Sequence, residues 1–356
     1  MEYFKQWLNR FLSNPEALAL LGILLVGFMA IFWVGDVLSS VLASIVIAYL
    51  LEGVVQRLTA KGVNRKLSVI TVFGLFLAAL SYMVFGLLPL ISIQTAQLAQ
   101  QLPDMLNKGV DLVMRLPQQY PDLISEEQIK ALWSQVSAEL VKYGQALLSM
   151  SASSLLGLVA LVIYLFLVPL LVFFFLMDKD EIVAWFTSNL PSKRQLSAQV
   201  WGTVNLQIAN YVRGKVWEIF IVWAACFTAF SLLGLDYAML LSFLVGLSVL
   251  IPYVGATVVT IPVILVAYVQ WGGGSDFVYL VTVFLIIQAL DGYVLVPLLF
   301  SEVVNIHPVA IIVAILFFGG VWGFWGVFFA IPLATLVQAV MVAWPREAAA
   351  NPSTSS

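Results

Sequence analysis

The chain has 356 residues, 62% of them hydrophobic and 10% charged, with a net charge of −3, whereas soluble domains carry roughly a quarter charged residues. No soluble core can absorb that much apolar surface, and without a basic stripe there is nothing to hold nucleic-acid phosphates. The single cysteine, Cys226, and the single histidine, His307, exclude an internal disulfide, a zinc cage, a multi-histidine metal site and a heme held between two histidines.

These features predict an all-α polytopic membrane protein. A spanning helix needs about 20 mainly apolar residues, and eight stretches meet or approach this: Ala17–Val34, Val37–Leu51, Leu67–Ile91, Leu155–Met177, Val216–Gly234, Ala238–Val269, Phe277–Phe300 and Pro308–Trp344. Lys5 and Arg10 precede the first stretch, but no small-residue cleavage site leads into a polar domain, so it reads as a retained span rather than a secretory signal. Ser13, Asn14, Pro15 and Glu16 carry a capping-box spacing with proline near the first helical position. Asp36 separates the first two stretches, which predicts a tight helical hairpin turning there.

Positive charge marks cytoplasmic loops. Arg57, Lys61, Arg65 and Lys66 follow the second stretch, and Lys179, Lys193, Arg194, Arg213 and Lys215 follow the fourth. With Lys5 and Arg10, they predict cytoplasmic N- and C-termini. The net acidic stretch Ser92–Ser154 then lies outside. Within it, Ile129, Leu132, Trp133, Val136, Leu140, Tyr143 and Leu147 recur at helical spacing. An earlier helix around Leu98–Leu116 closes at Pro117 and Pro121. Five regions result: residues 1–91 with three spans, 92–154 as an extracytoplasmic helical insertion, 155–215 as a span and cytoplasmic linker, 216–344 as a transport half, and 345–356 as a disordered tail.

Ala238–Val269 covers 32 residues, about 48 Å as a straight helix against a hydrocarbon core of about 30 Å. Ile251, Pro252, Tyr253, Val254 and Gly255 near its middle predict a break. The last stretch repeats the design with Gly319, Gly320, Gly323, Gly326 and Pro332. The tails GATVVTIP (255–262) and GVFFAIP (326–332) resemble each other, so a span followed by a broken or re-entrant segment occurs twice. Such repeats point to a transporter binding site, because freed amides and carbonyls need a solute, an ion or water.

Ionisable groups at membrane depth are functional candidates. Asp291, with Gln288 one turn before it, is the sharpest: its carboxylate suits a cation or a proton, or serves an interhelical hydrogen bond. Asn305 and His307 precede Pro308, where histidine suits proton coupling and the whole motif equally suits a turn and helix start. Glu52, Asp178, Lys179 and Asp180 read as interface charges, and Arg213 and Lys215 as topology or anionic-lipid contacts. No phosphate loop or catalytic constellation is visible, so an enzyme is not expected. Nor is any cofactor beyond a coupling ion, H+ or Na+.

FFFLMDKD (173–180), YVRGK (211–215), LIPYVGA (250–256), QALDG (288–292), NIHP (305–308) and GGVWGFWGVFFAIPLA (319–334) together resemble the autoinducer-2 exporter family over nearly the whole chain. The resemblance implies an inner-membrane secondary transporter of about eight hydrophobic segments with an outer insertion. It also implies a homo-oligomer, a pentamer among the candidates. Two activities accompany that family: export of autoinducer-2, and exchange of sodium or lithium for protons. Three readings follow, in order: a secondary exporter of a small polar solute, a cation/proton antiporter, and a non-transporting scaffold that binds partners through the Leu132, Val136 and Leu140 face.

Overall fold

The computed structural model describes residues 15–113, 134–135, 137–139, 141–142, 155–188, 195–252, 254–300 and 307–343. Among these residues all regular structure is helical. Six helices are long and apolar enough to cross a membrane, or seven if one bent pair counts as a span. The amphipathic stretch from Ile129 to Leu147 and the tail after 343 lie largely or wholly outside the described residues.

Helix α1 (Pro15–Ala60) opens with proline at its first position, as expected, but does not turn at Asp36. It is one helix of 46 residues, about 69 Å long. The expected hairpin fails for a physical reason: Gly35 and Asp36 stand alone among strong apolar residues, and one glycine costs a helix only about 1 kcal/mol. The turn comes instead at Lys61–Asn64, where Gly62 has φ +90° and the Asn64 side chain accepts from the Lys66 amide at 3.0 Å, capping α2 (Arg65–Tyr82). Across this turn the Arg65 guanidinium grips both oxygens of Glu52, at 3.1 and 3.4 Å. Glu52 is therefore a buried, paired carboxylate, 7% exposed, rather than a free interface charge.

A π-helical turn, π1 (Met83–Leu87), joins α2 to α3 (Leu88–Val113). Helix α4 (Leu155–Met177) coincides with the predicted fourth span, and the chain then bends by 80° at Asp178 into α5 (Lys179–Ser188). Helix α6 (Gln195–Leu233) starts well before the expected Val216 and runs unbroken through Arg213 and Lys215. Then follow α7 (Ala238–Ser248), α8 (Val254–Trp271), α9 (Ser275–Leu290), a second π turn π2 (Asp291–Leu295), α10 (Val296–Phe300) and α11 (Pro308–Ala343).

Both π turns have the same local cause. Pro89 and Pro297 each lie two residues beyond the widened turn. A proline ring clashes with the carbonyl four residues back, here that of Phe85 or Tyr293 inside the π turn. Four other prolines (Pro103, Pro169, Pro262 and Pro332) sit in helices that remain α. The two that widen the helix have a glycine within the preceding five residues, Gly86 or Gly292.

Contacts divide the chain into two compact units. One comprises Leu51–Leu170 and Gly214–Leu299. Its core joins Val222, Cys226 and Phe230 of α6 to Leu241 and Val245 of α7, Val263 and Val266 of α8, and Leu280 and Phe284 of α9. Cys226 is 0% exposed and thus a packing residue. In lipid, apolar burial gives helices little reason to associate, so close packing by small residues matters more. Gly246 supplies it: a Cβ there would sit 2.7 Å from the Trp223 Cβ and 3.0 Å from the Ile219 carbonyl oxygen. Helix α3, expected in an outer cap, packs on α7 and α8, and its Gln94 side chain accepts from the Leu240 amide at 2.8 Å. The other unit comprises residues 1–50, Leu171–Arg213 and 300–356. In it Tyr211 is fully buried against Phe300, and Arg213 lies over the Tyr49 ring.

Candidate functional site

The first long segment, residues 238–269, folds back on itself. Ser248 and Gly255 are seven residues apart, which in a straight helix is about 10 Å. Here a Cβ on Gly255 would collide with the Ser248 carbonyl oxygen. At the base, the Asp236 amide donates to the Gln270 side chain and the Gln270 amide group donates to the Gly234 carbonyl, both at 2.8 Å. The two ends of the segment thus meet, and α7–α8 is a helical hairpin whose turn includes residues 249–252. Pro252 lies in that turn, half-buried; Tyr253 is outside the described residues.

The turn exposes carbonyls that α7 no longer satisfies. One is met from outside the hairpin. The Lys215 ammonium of α6 donates to the Val249 carbonyl at 2.6 Å and to Glu218 Oε2 at 2.7 Å. Lys215 is 4% exposed and Glu218 is 2% exposed, so this is a buried, charge-assisted pair rather than a contact with lipid headgroups. Sequence reading placed Lys215 at the surface and passed over Glu218. The signal that finds them is K-x-x-E, opposite charges three residues apart on one helical face inside an apolar stretch.

Asp291 completes the cluster. It begins π2, at the point where α9 stops, and its amide donates to the Gln288 and Ile287 carbonyls. Its carboxylate interacts electrostatically with Lys215 and with Glu218. Its Oδ1 is buried and has no hydrogen-bond partner among the described residues. Single π turns recur at functional sites because the widened turn re-aims side chains. Gln288, one turn before, is half-buried. The site thus brings together two carboxyl groups and one amine.

The remaining candidates belong to the other unit. His307 is exposed, and its Nδ1 accepts from the Val309 amide at 3.2 Å, which is the chemistry of a helix start. Asn305 lies outside the described residues. Within α11, Gly323 breaks the helix with φ +57° and ψ −130°. A Cβ on Gly326 would collide with the Phe318 carbonyl, and one on Gly319 would sit 2.9 Å from Val327 Cγ2. Residues eight apart thus touch where a straight helix separates them by about 12 Å, so this segment also doubles back. Gly320 has open space around it, and Pro332 lies within the returning limb, which stays helical.

An open apolar groove of about 290 Å³ beside π1, lined in part by Phe73, Val84, Phe85 and Phe166, holds no ionisable group. Among the described residues no three His, Cys, Asp or Glu side chains cluster as metal ligands do.

The profile of the AI-2E family transporters matches residues 21–346. PerM of Escherichia coli (strain K12), which carries a provisional permease name, is 48% identical over 345 residues, covering 97% of this chain and 98% of PerM. Two Bacillus subtilis (strain 168) proteins provisionally named as transport proteins are more distant. YueF is 27% identical over 82% of this chain and 80% of its own length, and YrrI 24% identical over 88% and 89%. Family-wide coverage and paired broken helices lead to one conclusion: this chain belongs to the AI-2E family of transporters, as a multi-pass membrane protein.

Proposed function

We propose that this transporter is a secondary exporter of a small polar solute, an autoinducer-2-like signalling molecule among the candidates, and that Asp291 and Gln288 line its path beside the turn at Pro252 and Gly255. The observation that carries this reading is the buried Asp291 Oδ1, which has no hydrogen-bond partner among the described residues. A carboxylate oxygen left open at membrane depth is costly unless something that passes supplies a donor. The test is solute flux in proteoliposomes with and without Asp291→Asn. Loss of flux in a folded variant supports the reading, and undiminished flux overturns it.

A second reading, Na+(Li+)/H+ antiport, is favoured by the two carboxyl groups beside one amine, since one carboxylate can alternate between a cation and a proton. A sodium-elicited pH change that disappears in Asp291→Asn selects this reading. A non-transporting scaffold would give neither flux nor a sodium-elicited pH change, with or without Asp291→Asn. The proposed setting is the bacterial inner membrane, in a homo-oligomer for which a pentamer is one candidate, with the C-terminus and the basic stretches after α1 and α4 cytoplasmic. Because α1 is one helix and not the expected hairpin, the N-terminal side of α1 then lies on the opposite face rather than in the cytoplasm. In that orientation the re-entrant α7–α8 hairpin leaves Ser275 outside, so Ser275→Cys is expected to react with an impermeant maleimide in intact cells. Reaction only after permeabilisation reverses the orientation.

A further inference from the structure

The hydrogen bonds within the α7–α8 turn run inside the hairpin: Leu250 to Leu247, Ile251 to Ser248, Val254 to Pro252, and Gly255 to Ile251. The bond from Lys215 is different in kind. It comes from α6, spans 34 residues of sequence, and ends on Val249, the residue that caps α7. Glu218, one turn along α6, neutralises the ammonium at 2.7 Å. Burying a lysine and a glutamate to this degree is a poor way to gain stability, because apolar residues of similar volume often serve as well or better. What an apolar pair cannot do is donate to one chosen carbonyl. Steric fit holds α7 against α6 at Gly246 and amide hydrogen bonds hold the base at Gln270, while the turn carries this charged contact.

We propose that Lys215 is a positioning residue: with its charge compensated by Glu218, its ammonium latches the turn of the α7–α8 hairpin to α6 and so sets where that turn rests. The latch follows from the Lys215, Glu218 and Val249 geometry alone and does not depend on what is transported.

The test measures the position of the turn directly. Spin labels are placed at Leu232→Cys on α6 and Val254→Cys just past the turn, both at exposed positions, in a Cys226→Ala background. The full chain is held in lipid nanodiscs and diluted with unlabelled protein. Leu232 lies 17 residues from Lys215 along α6, roughly 26 Å, which suits pulsed dipolar distance measurement. The expected result is one narrow distance distribution with native Lys215 and Glu218 and with Lys215→Arg. Lys215→Met combined with Glu218→Leu should give a distribution about twice as wide or a second population. An unchanged narrow distribution in the folded apolar pair overturns the proposal. So does broadening of equal size in Lys215→Arg, which keeps the charge and the donors. Should the apolar pair fail to fold, Lys215→Met with Glu218→Gln, which also removes the donor to Val249, takes its place with the same two outcomes. Loss of transport with an unchanged distribution also counts against the latch, and leaves the transport reading standing.

Discussion

The two doubled-back segments reach one geometry by different chemistry. In α7–α8 a turn with proline separates two helices, and polar side chains serve it: the charged Lys215 and Glu218 at the tip, the neutral Gln270 at the base. In α11 a single glycine, Gly323, reverses the chain, and no residue from Pro308 to Ala343 is ionisable. Both need a glycine where the limbs touch, Gly255 in one and Gly326 in the other. The backbone reversal is thus a steric property that glycine alone confers, while the polar chemistry is added to one copy. The two segments share a doubled-back shape, while among the described residues only one carries ionisable side chains at its turn.

The steric half of that comparison predicts the largest effects. Gly255→Ala and Gly326→Ala each drive a methyl group into backbone, and each is expected to cost more than about 3 kcal/mol or to abolish folded protein. Gly320→Ala, in open space, should be neutral or stabilising by up to about 1 kcal/mol. Thermal unfolding in detergent checks all three, and a tolerated Gly326→Ala would break the equivalence of the hairpins. The chemical half predicts loss of function without loss of fold. Asp291→Asn should reduce flux at least about 100-fold while shifting stability by less than about 1 kcal/mol, whereas Gln338→Ala, on the uncharged α11, should leave flux within about twofold.

Smaller effects sharpen the contrast at the ends of the segments. Gln270→Ala removes two hydrogen bonds from the base of α7–α8 and should cost about 1–2 kcal/mol, read as a lower unfolding temperature. His307→Ala removes only a helix-start acceptor. It should cost about 0.5–1 kcal/mol and leave the pH dependence of transport unchanged; an altered pH profile would instead give His307 a role in proton movement.

Much of this was legible in the sequence because membrane helices obey simple rules. Apolar length gave the starts at Leu155, Ala238 and Pro308, and the proline and glycines gave a break in each long segment, while the doubling back at each break needed the structure. The hairpin expected at Asp36 was not formed, because a single charge beside one glycine is too weak a signal against a long apolar run. Lys215 and Glu218 were obscured for a different reason. Positive charge at the mouth of a span ordinarily marks orientation, and only tertiary packing, with α6 extending back to Gln195, reveals that this lysine lies inside. The π turn at Asp291 depends on Gly292 and Pro297 together, a combination that composition and periodicity do not register.

The shortness of α7 has an electrical consequence. Its 11 residues reach about 16 Å, roughly half the hydrocarbon thickness, so in the proposed re-entrant arrangement the turn would sit near the middle of the voltage drop. An ion leaving it for either face crosses about half the field, about 1.1 kcal/mol per charge at 100 mV. The two exits then differ by twice that, so membrane voltage alone would bias an ion's direction of exit about fiftyfold, while a neutral solute leaving the same turn would be indifferent to it.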